Sequence, residues 1–160
     1  MPEQDTPISQ RVILRTWWPL AASWLLMACE QPLVNAVVAR LPDPEVNLAA
    51  WGGVIYPLAL IIEAPIIMLL AASTALCRDR GSFVRVRRYM MVGGAILTLL
   101  HGVVALTPLF PILVGKVIHA PAEVLAPARI GLVLMLPWSW SIAYRRFHQG
   151  VLIRFGHSRA

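Results

Sequence analysis

Long apolar runs separated by short polar segments make up the hydrophobic pattern of this chain. The longest run covers residues 48–76, and its only Asp, Glu, Lys, Arg or His is Glu63. At about 1.5 Å per residue, a helix of this length exceeds the roughly 30 Å hydrocarbon core of a bilayer. The pattern therefore predicts a membrane span here.

The same reading predicts three further spans, at residues 17–39, 89–106 and 127–144. Residues 1–16 form a polar lead and residues 145–160 a basic tail, with loops at residues 40–47 and 77–88. Residues 109–120 are apolar but too short to cross, which indicates an interfacial or re-entrant segment. The predicted fold class is all-α, a polytopic membrane helix bundle of about four transmembrane helices.

Composition agrees with an integral membrane protein. The chain is 58% hydrophobic and only 14% charged, whereas a soluble domain is about 25% charged. A net charge of +6 could suggest a nucleic-acid partner, but that requires basic residues spread over a soluble face with aromatic residues between them. Here the arginines cluster at the ends of apolar runs, so we expect the lipid bilayer as a partner and no nucleic acid.

The basic residues also predict the orientation. Eleven of the 14 Lys and Arg residues fall in the lead, in residues 77–88 and in the tail; Arg40, Lys116 and Arg129 are the exceptions. Short cytoplasmic segments are enriched in Lys and Arg, so we expect both termini to be cytoplasmic, in a multi-pass protein of the cytoplasmic (inner) membrane. Some of these arginines are alternatively contacts for anionic lipid or for an anionic substrate.

The start of the chain allows a second interpretation. Arg11 and Arg15, followed by an apolar run that reaches Cys29, are similar to a lipoprotein signal. A mature lipoprotein normally begins with a polar tether, whereas residues 32–39 stay mostly apolar. Cys29 is predicted at mid-depth and Cys77 at the end of the second span, so no disulfide is expected.

Polar residues inside the first span form a cluster. On a helix, Ser23 and Glu30 share one stripe, and Gln31 and Asn35 share the adjoining stripe. Pro32 frees a backbone carbonyl nearby as a further acceptor. Helices broken in this way commonly line a binding cavity near the bilayer midplane.

Glu63 is the second acidic residue inside a span, and Pro65 follows it. A carboxylate at this depth costs roughly 2.5 to 3.5 kcal/mol on insertion scales, so it needs a proton, a partner or a wet cavity. We predict that Glu30, Gln31, Asn35 and Glu63 bind a substrate or an ion. The alternative is that both acids are protonated and, with the amides, hold helices together through hydrogen bonds.

Other polar and small residues favour structural roles. Ser73 and Thr74 are expected to bond their own helix backbone, and the small residues Gly94, Thr98 and Gly102 are expected to permit close helix packing. His101 is expected to be structural. The histidines lack metal-ligand spacing and the chain lacks an enzyme motif, so we predict no metal, no cofactor and no enzymatic activity.

Several short motifs carry a family resemblance: EQPLVN at residues 30–35, PE at 44–45 leading to LAA at 48–50, RDR at 78–80, and YRR at 144–146 with QGVL at 149–152. These resemble the N-terminal half of progressive ankylosis-type transporters, which are MATE-like members of the superfamily of multidrug extruders and polysaccharide or lipid flippases. The resemblance covers residues 17–154.

The resemblance implies about twelve spans in two six-helix bundles that alternate access to a central cavity. It implies a small-molecule substrate among organic anions, drugs or lipid-linked sugars, with protons or sodium as coupling ions. The positions that match the cavity of the family are Glu30, Gln31 and Asn35. Glu63 is included with them because it lies inside the second predicted span. The family continues into a fifth span after Gly150, where this chain instead becomes basic, so we expect a fragment or an assembly with other chains.

The main functional hypothesis is a secondary transporter, or the N-terminal piece of one, that moves a small organic solute or anion by alternating access. A second is a four-span subunit that dimerises around an intramembrane acid, like small multidrug-resistance pumps. A third is a membrane scaffold or assembly protein without a substrate. The third predicts that Glu30 and Glu63 tolerate apolar replacement.

Overall fold

A computed structural model of the protein describes residues 9–157, without the side chain of residue 16. The first eight residues of the predicted lead and the last three of the tail lie outside this range. The described residues are helical and contain no strand. The helices are α1 (Gln10–Val38), α2 (Pro44–Ala50), α3 (Tyr56–Ile67), α4 (Leu69–Leu76), α5 (Arg80–Leu106), α6 (Leu109–Pro111), α7 (Ala122–Leu134) and α8 (Leu136–Arg154).

Among residues 9–157, three helical stretches are long and apolar enough to cross a membrane: Gln10–Val38, Pro44–Leu76 and Arg80–Leu106. The second comprises α2, α3 and α4, with a π-helical segment at Trp51–Ile55 that precedes Pro57. Helices α7 and α8 meet the same criterion together but are bent by 41° relative to each other. The all-helical prediction is confirmed, and three to four spans fit a multi-pass membrane protein.

The first three predicted spans begin earlier in the structure than predicted, whereas the ends of the first two, at Val38 and Leu76, agree with the prediction to within one residue. Helix α1 begins at Gln10, inside the predicted lead, and α2 begins at Pro44, inside the predicted loop of residues 40–47. Helix α5 begins at Arg80, so most of the predicted loop of residues 77–88 is helical. The cause is a capping box, in which the Asp79 carboxylate accepts from the Ser82 backbone N–H at 2.7 Å.

The fourth predicted span is two helices rather than one. The chain bends at Met135, two residues before Pro137, because proline cannot donate a backbone hydrogen bond and its ring clashes with the preceding turn. Helix α8 then continues to Arg154, which makes most of the predicted tail helical. Residues 109–120, predicted as a short non-crossing segment, hold α6 and a π-helical segment at Ile112–Val117.

Two apolar clusters form the core. One joins the π-helical segment of residues 51–55 to α5, α6 and α7, and includes Val54, Leu58, Ala105 and Leu132. The other joins α3, α4, α5 and α8, and includes Ile66, Met90, Ile142 and Phe147. The clusters therefore occupy opposite ends of the long helices.

Glycines permit close helix contacts between α8 or α7 and the rest of the bundle. A Cβ atom on Gly150 would overlap Ser73 Oγ and lie 2.6 Å from the Leu70 carbonyl oxygen, and one on Gly131 would overlap Ile55. Gly94 packs against Trp140 and Ala143 of α8. The predicted packing role of the small residues on α5 is thus confirmed for Gly94.

Candidate functional site in a polar layer between two apolar clusters

A buried polar residue lies between the two apolar clusters on the Pro44–Leu76 stretch, on α5 and on the bent α7–α8 pair, whereas α1 contributes no residue to either cluster. Glu63 falls between Leu58 and Ile66, His101 between Met90 and Ala105, and Ser139 between Leu132 and Ile142. Since the clusters mark the two ends of the bundle, these residues form a polar layer near the middle. This layer contains the sequence-predicted acid Glu63.

Two members of the polar layer hold the bundle together. The His101 Nε2–H donates to the Leu132 carbonyl oxygen at 3.0 Å, and its Nδ1 accepts from the Ser139 hydroxyl at 3.4 Å. Leu132 precedes the α7–α8 bend and Ser139 follows it. Both ring nitrogens of His101 are therefore hydrogen-bonded, which agrees with the structural role predicted for this residue.

Glu63 has no comparable partner. Its side chain is 3% exposed, and its Oε1 atom has no hydrogen-bond partner among the described residues. The charged groups that interact with it electrostatically are the guanidinium of Arg145 and the carboxyl of Glu30. The two acids predicted from different spans are therefore brought within electrostatic range of each other.

The other predicted site residues lie on the open side of α1. Glu30 and Gln31 are half-buried and Asn35 is exposed. Within residues 9–157, the side chains of these three residues form no hydrogen bond. The side chain of Asn47, by contrast, donates to the Pro42 carbonyl oxygen at 2.6 Å. The structure thus connects Glu30 to Glu63 but gives no such connection for Gln31 or Asn35.

Sequence reasoning missed Arg145 and Arg146, which it assigned to the cytoplasmic tail. Both lie on α8, and Arg146 is 6% exposed, with its guanidinium 5.0 Å from the centroid of the Trp24 ring on α1. The Arg146 Nε atom is buried without a hydrogen-bond partner in the described part of the chain. A signal was present, because Phe147 and Val151 continue an apolar stripe at helical spacing beyond the predicted end of the span.

A groove of about 620 Å³ separates α1 from the C-terminal half of α8. We call it the α1–α8 groove; residues 19–26 of α1 and 144–153 of α8 contribute its walls. Its polar side chains are Ser23, Tyr144, Arg145, His148 and Gln149, and the remaining wall is aliphatic. Arg145 therefore faces this groove while it also interacts electrostatically with Glu63.

The remaining candidate chemistry is structural. Ser73 and Thr74 donate to the carbonyls of Leu69 and Leu70 at 2.7 and 2.8 Å, as predicted. Both cysteines are free: Cys29 is exposed on α1, and Cys77 is buried at the end of α4, where burial raises the pKa of its thiol. Within the part of the chain that the structure describes, no three His, Cys, Asp or Glu side chains are placed to hold a metal ion.

The chain matches no protein-family model, and neither the curated proteins nor the solved structures contain a significant match. The resemblance to progressive ankylosis-type transporters therefore stays a prediction. The polar layer and the groove beside it are the features of this chain that bear on its function.

Proposed function

We propose that this chain is a multi-pass membrane transport protein, or the N-terminal part of one, that couples movement of a small organic solute to a proton or sodium ion. Glu63 and Glu30 bind the coupling ion. From the distribution of the arginines, both termini are cytoplasmic and the membrane is the inner membrane. The resemblance to MATE-like transporters is compatible with this proposal.

The observation that carries the proposal is the buried Glu63 with its unpartnered Oε1, which interacts electrostatically with the guanidinium of Arg145 and with a second carboxyl, that of Glu30. Two carboxylates in a site of low dielectric repel each other, and a bound proton or cation relieves that repulsion. A carboxyl whose hydrogen bonds are complete would be a structural contact. Glu63 instead retains an acceptor for an ion that can bind and leave.

A scaffold role fits this geometry less well. A scaffold needs packing alone, and replacing a buried charged group by an apolar side chain is often neutral or stabilising. Ser139 and His101 already show how this bundle completes the hydrogen bonds of a structural polar residue. Glu63 lacks that completion. Trp51 Nε1, Thr98 Oγ1 and Arg146 Nε are also buried without a partner among the described residues, but Glu63 is the carboxyl in this group, and a carboxyl can bind a proton or a cation, which favours function over packing.

The exposed face of α1 favours transport by an assembly in which further helices cover this face. None of the most apolar 18-residue window of α1 is buried, and Glu30 on this helix is half-buried. A second copy of the chain, as in small multidrug-resistance pumps, or the remaining helices of a longer transporter would cover this face. Cross-linking in native membranes distinguishes a dimer from a monomer.

The test uses the purified protein in liposomes with a pH or sodium gradient, with ethidium, tetraphenylphosphonium and citrate as probes. We expect gradient-driven uptake of a probe that is abolished by Glu63→Gln and reduced by Glu30→Gln. Glu123→Gln is the matched control, since Glu123 is exposed in the first turn of α7. Uptake that is unchanged in Glu63→Gln would remove this residue from the mechanism.

A readout that needs no substrate accompanies the transport assay. Infrared difference spectra between acidic and alkaline buffer should show the carbonyl stretch of a protonated buried carboxyl group. Glu63→Gln should remove that band and Glu123→Gln should not. If Glu30→Leu with Glu63→Leu keeps cellular function and raises the unfolding temperature, the scaffold hypothesis is correct instead.

A further inference from the structure

We propose that the α1–α8 groove is filled with water and is the route by which the coupling ion reaches Glu63 and Glu30. The inference rests on the proposed function for the identity of the ion, but the water content of the groove stands on the lining of the groove itself. The occupant is water rather than a lipid acyl chain.

The first argument is the state of the polar side chains in the wall. Ser23, Arg145 and Gln149 line the groove, and none of these side chains has a hydrogen bond to another described residue. The hydroxyls of Ser73 and Ser141, on the same bundle, donate to carbonyls one turn earlier in their helices. Polar groups that face hydrocarbon without a partner are costly, so water must satisfy those in the groove.

His148 adds a further polar atom to the groove. Its Nδ1 is 2.9 Å from the Tyr144 carbonyl oxygen, and its ring lies 4.0 Å from that of Tyr144. The backbone contact occupies one ring nitrogen, so Nε2 is left for a water molecule. A chain of polar groups therefore follows α8 along the groove.

The second argument is the position of the inner end of the groove. Residues 144–153 extend over about 13 Å of helix at 1.5 Å per residue. Arg145 lies at the inner end of this stretch and interacts electrostatically with Glu63. On α1, the exposed Trp17 and Trp18 precede the groove and are suited to the membrane interface. The groove thus runs from the interface to Arg145. Glu30 lies one helical turn beyond Leu26, the last wall residue on α1, so the groove ends next to the predicted acids without including them in its wall.

The experiment measures thiol labelling by a membrane-impermeant maleimide in native membrane vesicles of both orientations, followed by mass spectrometry. Ser23→Cys and Gln149→Cys are placed in a Cys29→Ala background. Leu25→Cys is the matched control, because Leu25 is two residues from Ser23, is 63% exposed, and lies outside the groove wall. The native Cys77, which is fully buried, reports whether each variant is folded.

We expect Ser23→Cys and Gln149→Cys to label at least about tenfold faster than Leu25→Cys, since the reactive thiolate forms only in water. Cys77 should stay unlabelled. Equally slow labelling at all three positions, in folded protein, would show that lipid fills the groove and would overturn the inference. If the groove labels but Glu63→Gln leaves transport unchanged, the groove is wet and the proposed function is wrong.

Discussion

Helix α1 and the rest of the bundle are predicted by the same hydropathy signal but differ sharply in packing. None of the most apolar window of α1 is buried, compared with 44% for Pro44–Leu76 and 22% for α5. Helix α1 meets α8 through the Trp24–Arg146 contact and across a groove. Hydropathy therefore identifies a span but does not indicate how tightly that span packs against its neighbours.

Glycines at close helix contacts account for part of this difference. Gly150, Gly131 and Gly94 let helices of the bundle approach so closely that a methyl group would meet a neighbour, and such close approach supplies much of the packing energy in membranes. Helix α1 contains no glycine. Its attachment to α8 instead includes a cation–π contact and polar side chains, so we expect α1 to be the helix most easily displaced.

The largest effect on the stability of the bundle is expected from Gly150→Ala. The new methyl group would overlap Ser73 Oγ and approach the Leu70 backbone carbonyl, and overpacking of this kind costs about 1–3 kcal/mol. In a Cys29→Ala background we expect a lower unfolding temperature in detergent and faster labelling of the buried Cys77 thiol.

Gly93→Ala is the control for this prediction. Gly93 lies on α5, and a Cβ atom there would have no neighbour within 4 Å. Alanine should be neutral or stabilise by up to about 1 kcal/mol, because it is the better helix former. Equal destabilisation by both substitutions would show that α8 is no more tightly packed than the open face of α5.

An intermediate effect, confined to α1, is expected from Trp24→Leu. Loss of the ring removes a cation–π contact with Arg146, worth about 0.5–2 kcal/mol. Hydrogen exchange of residues 10–38 should become faster while Cys77 labelling stays unchanged. Trp18→Leu is the control, since Trp18 is 63% exposed, similar to the 53% of Trp24, but has no cation–π contact among the described residues. If Cys77 labelling rises together with exchange in α1, the two regions unfold as one unit and the comparison fails.

The smallest effect is expected at Asp79, in the bundle but outside the apolar stretches. The hydrogen bonds from Ser82 hold the pKa of Asp79 below its ordinary value of 3.8. A depressed pKa in the folded state means that the unfolded state binds the proton more readily. The stabilisation by the cap is therefore present above pH 3.8 and is lost as the pH falls through the folded-state value.

Asp79→Asn keeps an oxygen acceptor for the cap but does not titrate. The protection factor for hydrogen exchange at the start of α5, taken relative to the intrinsic exchange rate at each pH, should fall below pH 3.8 in the parent protein and stay constant over this range in Asp79→Asn. Identical pH profiles for the two proteins would mean that Asp79 does not stabilise the start of α5.

The spans were predictable because charged groups are costly in a bilayer, so long apolar runs such as the one around Glu63 stand out. The boundaries were not, because hydropathy ignores local caps. Asp79 and Ser82 start α5 well before its apolar part, and Phe147 extends α8 by packing on the cluster around Met90. The bend at Met135 follows from Pro137, but its angle depends on contacts with α5.

The candidate site was predictable only in part, for a related reason. Glu30 and Glu63 can be recognised from the sequence whichever way their side chains point, because each is an acidic residue within an apolar run. Arg145 and Arg146 do not, because basic residues at the end of a span normally report topology. The electrostatic interaction of Arg145 with Glu63 and the contact of Arg146 with Trp24 depend on how α8 packs against α3 and α1, which the spacing of residues along one helix does not record.

The imidazole of His101 has a consequence for any motion of the bundle. Its two nitrogens clasp both arms of the α7–α8 bend, so a third helix sets the angle between them. If α8 pivots and carries Arg145 away from Glu63, α5 must travel with it or the clasp must open. As long as both hydrogen bonds of His101 hold, α5 and α8 therefore move as one unit relative to α1.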